Sequence, residues 1–210
     1  MTRSSPHNAL NIVVLVSGRG SNLQAIIDAT NNNIIRSRVT AVISNRPGVP
    51  ALQRAAEANI PSTVIASYHR PTAEFHDALF RTLTSLNPDL IVLAGFMKIL
   101  PQKIVRHFSG KIINIHPSLL PAFRGLNAQQ QALDAGVRVT GCTVHFVDEG
   151  CDTGPIIWQD SEQIQEGDTA ETLSNRLLLK EHTSLVQAIQ LIENHKVILQ
   201  EHETLLRRDP

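Results

Sequence analysis

The chain has only two cysteines, Cys142 and Cys151, and no Cys-x-x-Cys pair. That excludes a disulfide framework and argues against a structural zinc site. Charge excess is missing too, since 19 basic side chains stand against 19 acidic ones. A nucleic-acid-binding surface would carry a basic stripe, and none is visible. No apolar run reaches the roughly 18 residues needed to span a bilayer. Met1–Leu10 is polar and short, without the apolar core of a signal peptide. Repeats and low-complexity stretches are also lacking. These absences leave a soluble chain of a reducing compartment, expected in the cytoplasm. It should act on small molecules with no metal, no nucleic acid and no membrane, as a monomer or homodimer.

What is present is an alternation of strand and helix signals. The 210 residues are the length of one large domain. The reading is a single domain over 1–210, with 1–10 as an N-terminal tail and 196–210 as a C-terminal surface tail. Leu10–Val16 is an almost unbroken apolar run, the mark of a parallel strand covered on both faces. Strands are also expected at Val39–Ile43, Ser62–Ala66, Asp89–Ala94 and Ile112–Ile115. Between them fall helices after Ser21, over Ala51–Ala58, from about Pro71 with Phe75, Leu79, Leu83 and Leu86 on its apolar side, and near Gln102–Phe108. Val139–Val147 alternates polar and apolar residues and Pro155–Trp158 follows, suggesting strands with a more exposed face, in antiparallel pairing. Thr169–Glu193 reads as a long amphipathic helix with Leu173, Leu177, Leu185 and Ile189 on its core stripe. The fold class is therefore α/β, a Rossmann-like, mostly parallel twisted sheet flanked by helices, with antiparallel strands in the C-terminal part.

The most informative stretch is Ile-Ile-Asn-Ile-His-Pro-Ser-Leu-Leu-Pro, from Ile112 to Pro121. Side chains two apart on a strand share a face, so Asn114 and His116 leave the strand together. Pro117 then ends the sheet pattern because it has no N–H to donate. A proton-carrying ring and an amide donor side by side at a strand end suit acyl chemistry. A lone histidine is more often a structural hydrogen-bonding residue, but the other histidines lack this combination. His145 comes second: it could face the same cleft, though cross-strand packing is the expected role.

A second signal is Ser17-Gly18-Arg19-Gly20-Ser21-Asn22, between the first strand and the first helix. Backbone N–H groups and the helix dipole make an anion site there. The dinucleotide fingerprint fails, because Leu23 stands where its third glycine belongs. The second strand ends in Ser44-Asn45-Arg46, without an acid for a ribose hydroxyl. It is not a Walker A loop either. Two readings stand: a monophosphate cradle with Ser21 and Asn22 as extra donors, or a tight turn with Ser21 or Asn22 capping the helix.

The third is Asp152, in the polar loop Asp148–Pro155. An isolated aspartate in such a loop is usually a turn residue. If it converges with Asn114 and His116, its carboxylate favours the imidazolium and raises the histidine pKa. Asn114 would then serve the oxygen of a tetrahedral intermediate.

Five ordered motifs carry a resemblance: Ser-Gly-Arg-Gly-Ser-Asn-Leu-Gln-Ala-Ile-Ile, Ile-Ser-Asn-Arg, Leu-Ala-Gly-Phe-Met-Lys-Ile-Leu, Asn-Ile-His-Pro-Ser-Leu-Leu-Pro, and Gly-Cys-Thr-Val-His-Phe-Val followed by Asp-Thr-Gly-Pro-Ile-Ile. Over about Asn11 to Glu193 the chain resembles the phosphoribosylglycinamide formyltransferases, folate-dependent enzymes of purine biosynthesis with a formyltransferase fold. The resemblance implies formyl transfer from 10-formyltetrahydrofolate, a co-substrate, to the glycinamide amine. It implies a catalytic trio of Asn114, His116 and Asp152. Gly20, Ser21 and Asn22 would hold the substrate phosphate and Glu181 would contact the glycinamide substrate. Met97, Lys98, Ile99, Leu100, Asn114, Asp148, Glu149, Gly150, Cys151 and Asp152 would line the folate pocket, largely through backbone groups. It also implies a cis bond before Pro121.

The chain departs from the family pattern in two places. The basic residue that contacts the folate tail is replaced by Thr72, leaving Arg70 as the nearby candidate. Gln129 or Gln131 stands where some members have histidine. Related formyltransferases fit less well: the methionyl-tRNA enzymes carry a basic C-terminal domain, the formyltetrahydrofolate hydrolases an added N-terminal one, and the sugar enzymes need no phosphate cradle. A reading of another class is a non-catalytic module binding a phosphorylated metabolite, which leaves the trio without a task.

Overall fold

The computed structural model describes residues 9–68, 70–200 and 203–206. The outer parts of both expected tails, residues 1–8 and 207–210, lie outside the described residues. Nine strands and six helices are described, in the order β1 (Asn11–Val16), α1 (Ser21–Asn31), β2 (Arg38–Ser44), α2 (Pro50–Glu57), β3 (Ser62–Val64), α3 (Thr72–Leu86), β4 (Leu90–Leu93), α4 (Gln102–His107), β5 (Ile112–His116), α5 (Ala128–Asp134), β6 (Val139–Phe146), β7 (Ile156–Gln163), α6 (Ala170–Glu193), β8 (Val197–Gln200) and β9 (Glu203–Leu206).

Seven strands form one sheet in the order β3-β2-β1-β4-β5-β6-β7. Neighbours from β3 to β5 pair in parallel, and β6 and β7 add antiparallel. This is the sheet expected from the sequence. The strand order reverses between β1 and β4, and in such sheets the crevice opens beyond the strand C-termini at that reversal.

The apolar run of β1 is buried throughout because both faces of the sheet are covered. Ile12, Val14 and Val16 join a core with Leu23 and Ile26 of α1, Ala51 of α2, and Leu185 and Ile189 of α6. Val13 and Leu15 face the other way, onto Phe75, Leu79 and Leu83 of α3 and Ile104 of α4. The two-residue period of the strand thus builds two cores from one sequence run.

α6 begins with a reciprocal cap. Thr169 Oγ1 accepts the Thr172 N–H at 3.2 Å and Thr172 Oγ1 accepts the Thr169 N–H at 3.0 Å. Such a cap stabilises by about 1 kcal/mol. At the other end the buried Glu193 carboxylate accepts from the Arg36 and Ser37 N–H groups and from Ser37 Oγ. The helix is clamped along about 36 Å, which fixes the height of Glu181 beside the sheet.

Four details differ from the sequence expectations. Leu86, assigned to the apolar side of α3, is 39% exposed, because it ends the helix one residue before the left-handed cap Asn87. β6 is buried from Thr140 to Phe146 rather than half-exposed, being sandwiched by β5 and β7 in the sheet and covered by α6. α5 was not anticipated. The stretch read as a surface tail from 196 contains the paired strands β8 and β9, with Val197 packed on the core.

Candidate active site

The cradle, the Asn–His strand end and the aspartate loop meet at the strand C-termini. A cleft of about 540 Å³ is lined by Ser17–Asn22, Arg46, Met97, Ile115, Pro117, Gly125–Gln129, Ser174, Leu178 and Glu181.

At the cradle end Gly20, not Ser21 or Asn22, is the N-cap of α1, and no side chain caps the helix. The turn-capping reading therefore fails, and the first residues of the helix, Ser21 and Asn22, line the cleft with N–H groups that no side chain caps. Gly20 has φ +74, and a Cβ there would lie 2.6 Å from Ala51 Cβ. The Asn22 amide instead donates from Nδ2 to Glu181 Oε2 at 2.9 Å, while its buried Oδ1 has no partner. Burial pushes the Glu181 carboxyl up, and the hydrogen bond from Asn22 offsets part of that rise. This end offers helix N–H groups and nearby Arg19 and Arg46 for an anion, with acceptors on Asn22 and Glu181 beside them.

The trio comes together beside the cleft, whose lining holds its neighbours Ile115, Pro117 and Gly125 but none of the three. His116 Nδ1 lies 3.3 Å from Asp152 Oδ2, and Asn114 Nδ2 lies 3.5 Å from Asp152 Oδ1. His116 Nε2 sits 2.9 Å from the Phe123 carbonyl oxygen. A carbonyl only accepts, so the Phe123 contact uses an N–H at Nε2, and Nδ1 faces the carboxylate. His145 joins them from β6, directly opposite Asn114 in the register. Its Nδ1 donates to the Phe146 carbonyl at 2.8 Å, while Nε2 lies 3.3 Å from Asn114 Nδ2 and 3.6 Å from Asp152 Oδ1. The packing role expected for His145 is therefore replaced by a place in the cluster, and its pairing with Asn114 across the sheet was the missing signal.

Burial would raise the Asp152 carboxyl. Hydrogen bonding to His145 and the Gly125 N–H, and the charge of His116, outweigh that and hold it well below the usual carboxylate range. The Gly125 N–H donates to Oδ2 at 2.9 Å. Asp152 also has φ +52, a left-handed conformation that aspartate tolerates better than most residues. Strain of this kind clusters at working sites.

The expected folate-side residues separate. Met97 lines the cleft and its N–H donates to Ser17 Oγ at 2.8 Å. Lys98 and Ile99 are exposed, and the Leu100 side chain packs in the core with residues of α3 and α4, while the folate contacts expected of this segment are largely those of its backbone. Asp148 ties its own loop, accepting from the Gly150 N–H and Thr153 Oγ1. Glu149 is exposed and pairs with Arg106 in two hydrogen bonds. Cys151 touches Asp152 through its thiol. Arg70 is exposed ahead of α3, away from the cleft lining. Gln129 lines the cleft, and Gln131 donates to the Arg124 and Leu126 carbonyls. The bond before Pro121 is cis. Among the described residues no group of three His, Cys, Asp or Glu could hold a metal ion, and no helix is long and apolar enough to cross a membrane.

A family model described as formyl transferase matches residues 10–189, and the chain belongs to that family. Within it, the chain is 44% identical over 174 residues to the phosphoribosylglycinamide formyltransferase of Escherichia coli, covering 82% of each. It is 47% identical over 192 residues to the trifunctional purine biosynthetic protein adenosine-3 of Bos taurus, covering 91% of this chain but 19% of that one. The chain thus spans about a fifth of the length of that relative. Among solved structures, glycinamide ribonucleotide transformylase 1 from Symbiobacterium toebii superposes with a TM-score of 0.92 at 40% identity, covering 98% of this chain and 97% of that one. The resemblance carried by the five motifs is borne out.

Proposed function

We propose that this chain transfers a formyl group from 10-formyltetrahydrofolate to the amine of phosphoribosylglycinamide. The observation that carries the reading is the convergence of Asn114, His116 and Asp152 beside a cleft that is lined by Gly20, Ser21 and Asn22. The phosphate would sit on the α1 N-terminus, with Glu181 and Asn22 Oδ1 taking hydrogen bonds from the acceptor substrate. The folate would enter past Met97 and the Asp148–Asp152 loop.

In the transfer the amine nitrogen bonds to the formyl carbon, and the carbonyl π electrons move onto oxygen. Asn114 donates to that oxygen; its amide makes only long contacts at rest and is free to turn. Collapse breaks the bond from carbon to the folate nitrogen. His116, as the imidazolium, gives its proton to the departing nitrogen, and the neutral ring then takes the extra proton from the former amine, so it ends as it began. Asp152 stays ionised and balances the imidazolium before and after the transfer. No covalent intermediate on the protein is required.

The test is a coupled assay with both substrates, following formylated product and free tetrahydrofolate, with unphosphorylated glycinamide riboside as a control acceptor. Equal amounts of both products, and a large preference for the phosphorylated acceptor, are expected. Tetrahydrofolate released without formylated product would refute transfer. Binding of the acceptor without turnover would favour the non-catalytic module.

A further inference from the structure

Thr143 lies directly across the sheet from His116 and is fully buried, yet its hydroxyl does not turn to the histidine. It donates to the Ser118 carbonyl at 2.7 Å and accepts the Leu120 N–H at 3.0 Å. It also accepts from Gln159 Nε2 at 3.0 Å, and the same amide nitrogen donates to the Leu120 carbonyl at 2.9 Å. A hydroxyl has one proton and two lone pairs, so this one is saturated. The segment Ser118–Leu120 is thereby fastened to β6 and β7. Ser118 Oγ extends the fastening by donating to the Ala122 carbonyl at 2.5 Å.

The residues that follow hold two members of the trio. Phe123 supplies the carbonyl that takes the His116 Nε2 proton, and Gly125 supplies the N–H on Asp152. Phe123 itself stands at φ +55. A bulky residue keeps such a conformation only where its surroundings over-determine it. The Thr143 hydroxyl, with Gln159 behind it, is the buried anchor of the segment Ser118–Leu120 that leads to that point.

We propose that Thr143 is a positioning residue: through the strap Ser118–Gly125, and with Gln159 as second anchor, it fixes the His116 ring and the Asp152 carboxylate relative to each other. This rests on the formyl-transfer reading above. Neither side chain touches a reacting atom, so their loss should appear in turnover and not in ground-state binding.

The experiment compares Thr143→Val, Gln159→Leu, the double variant and Thr143→Ser. Thr143→Val should lower kcat by about ten- to a hundredfold, the scale of a small misplacement of reacting groups, with KM for both substrates within about twofold. Gln159→Leu should lower kcat less. The double variant should fall short of the product of the two, because both cut one network. Thr143→Ser keeps the hydroxyl and should recover most of the loss. In parallel, NMR of 15N-histidine-labelled protein should show the His116 Nε2 proton exchanging faster in Gln159→Leu than in the wild type. Variants that melt earlier yet keep kcat and the His116 spectrum would overturn the proposal, because the network would then be structural alone. If Thr143→Val does not fold, the exposed Gln159→Leu carries both readouts. If the wild type transfers no formyl group, the functional reading fails, and the His116 spectra still decide the positioning role.

Discussion

Gly18 and Gly20 stand two apart in one loop, and the fold asks different things of them. Gly20 has φ +74, and an added Cβ would lie 2.6 Å from Ala51 Cβ and 2.8 Å from Ala51 Cα. Gly18 has no positive φ, and a Cβ there would meet nothing within 4 Å. In Gly20→Ala a left-handed backbone on a residue with a Cβ costs about 1–2 kcal/mol. Forcing α2 off the loop adds the usual overpacking cost of about 1–3 kcal/mol. The sum, about 2–5 kcal/mol, at about 2–4 °C per kcal/mol for a chain of this size, lowers Tm by about 4–20 °C. Gly18→Ala should stay within about 0.5 kcal/mol of wild type. Thermal denaturation followed by circular dichroism checks both. Equal melting of the two variants, or Gly20→Ala within 2 °C of wild type on that ~4–20 °C scale, would refute the claim that close approach to α2 dictates the glycine.

His116→Ala should lower turnover by about a hundred- to ten-thousandfold, the range for a general acid–base group, with an unchanged circular dichroism spectrum; steady-state kinetics checks it. The Asp152 carboxyl is held below its ordinary value, so its stabilising contribution is present above about pH 3.9, the unfolded value, and is lost as pH falls through the lower folded value. The stability gap between wild type and Asp152→Asn in urea titrations should therefore be flat from neutrality to about pH 5 and close in more acid solution. Glu181 is shifted the other way by burial, so its ionisation costs stability as pH rises through the folded value. Glu181→Gln should be more stable than wild type at neutral pH while raising KM for the phosphoribosyl acceptor, measured by melting and kinetics. Of the two thiols, burial pushes Cys142 up to about 11 and Cys151 is exposed. A thiol-reactive dye should therefore label one cysteine in the native protein and two after unfolding.

The sheet was readable in the sequence because buried parallel strands are apolar runs, and β1, β4 and β5 have nothing else to be. The trio was readable because Asn114 and His116 share a strand face and Asp152 follows the next strand. β6 was misread for a physical reason: alternation tells which side of a strand a residue faces, not whether that side is covered. Thr143 and His145 share one face and Thr140 lies on the other, and all three are polar yet buried. α5 escaped because Ala-Gln-Gln-Gln-Ala-Leu-Asp buries only Ala128 and Ala132, too faint a stripe to see. Thr143 and Gln159 had no local signal at all, since their partners lie up to 39 residues away.

The left-handed backbone at Asp152 restricts what can ever stand there. Asparagine, aspartate and glycine occupy that conformation with least strain, and of the three only aspartate carries charge. Glutamate, the substitution a chemist would call conservative, is disfavoured twice, by the turn and by the added methylene between backbone and His116. A sequence keeping this loop can therefore lose its carboxylate in a single step and cannot replace it with the other acid. The turn and the reaction select the same residue independently.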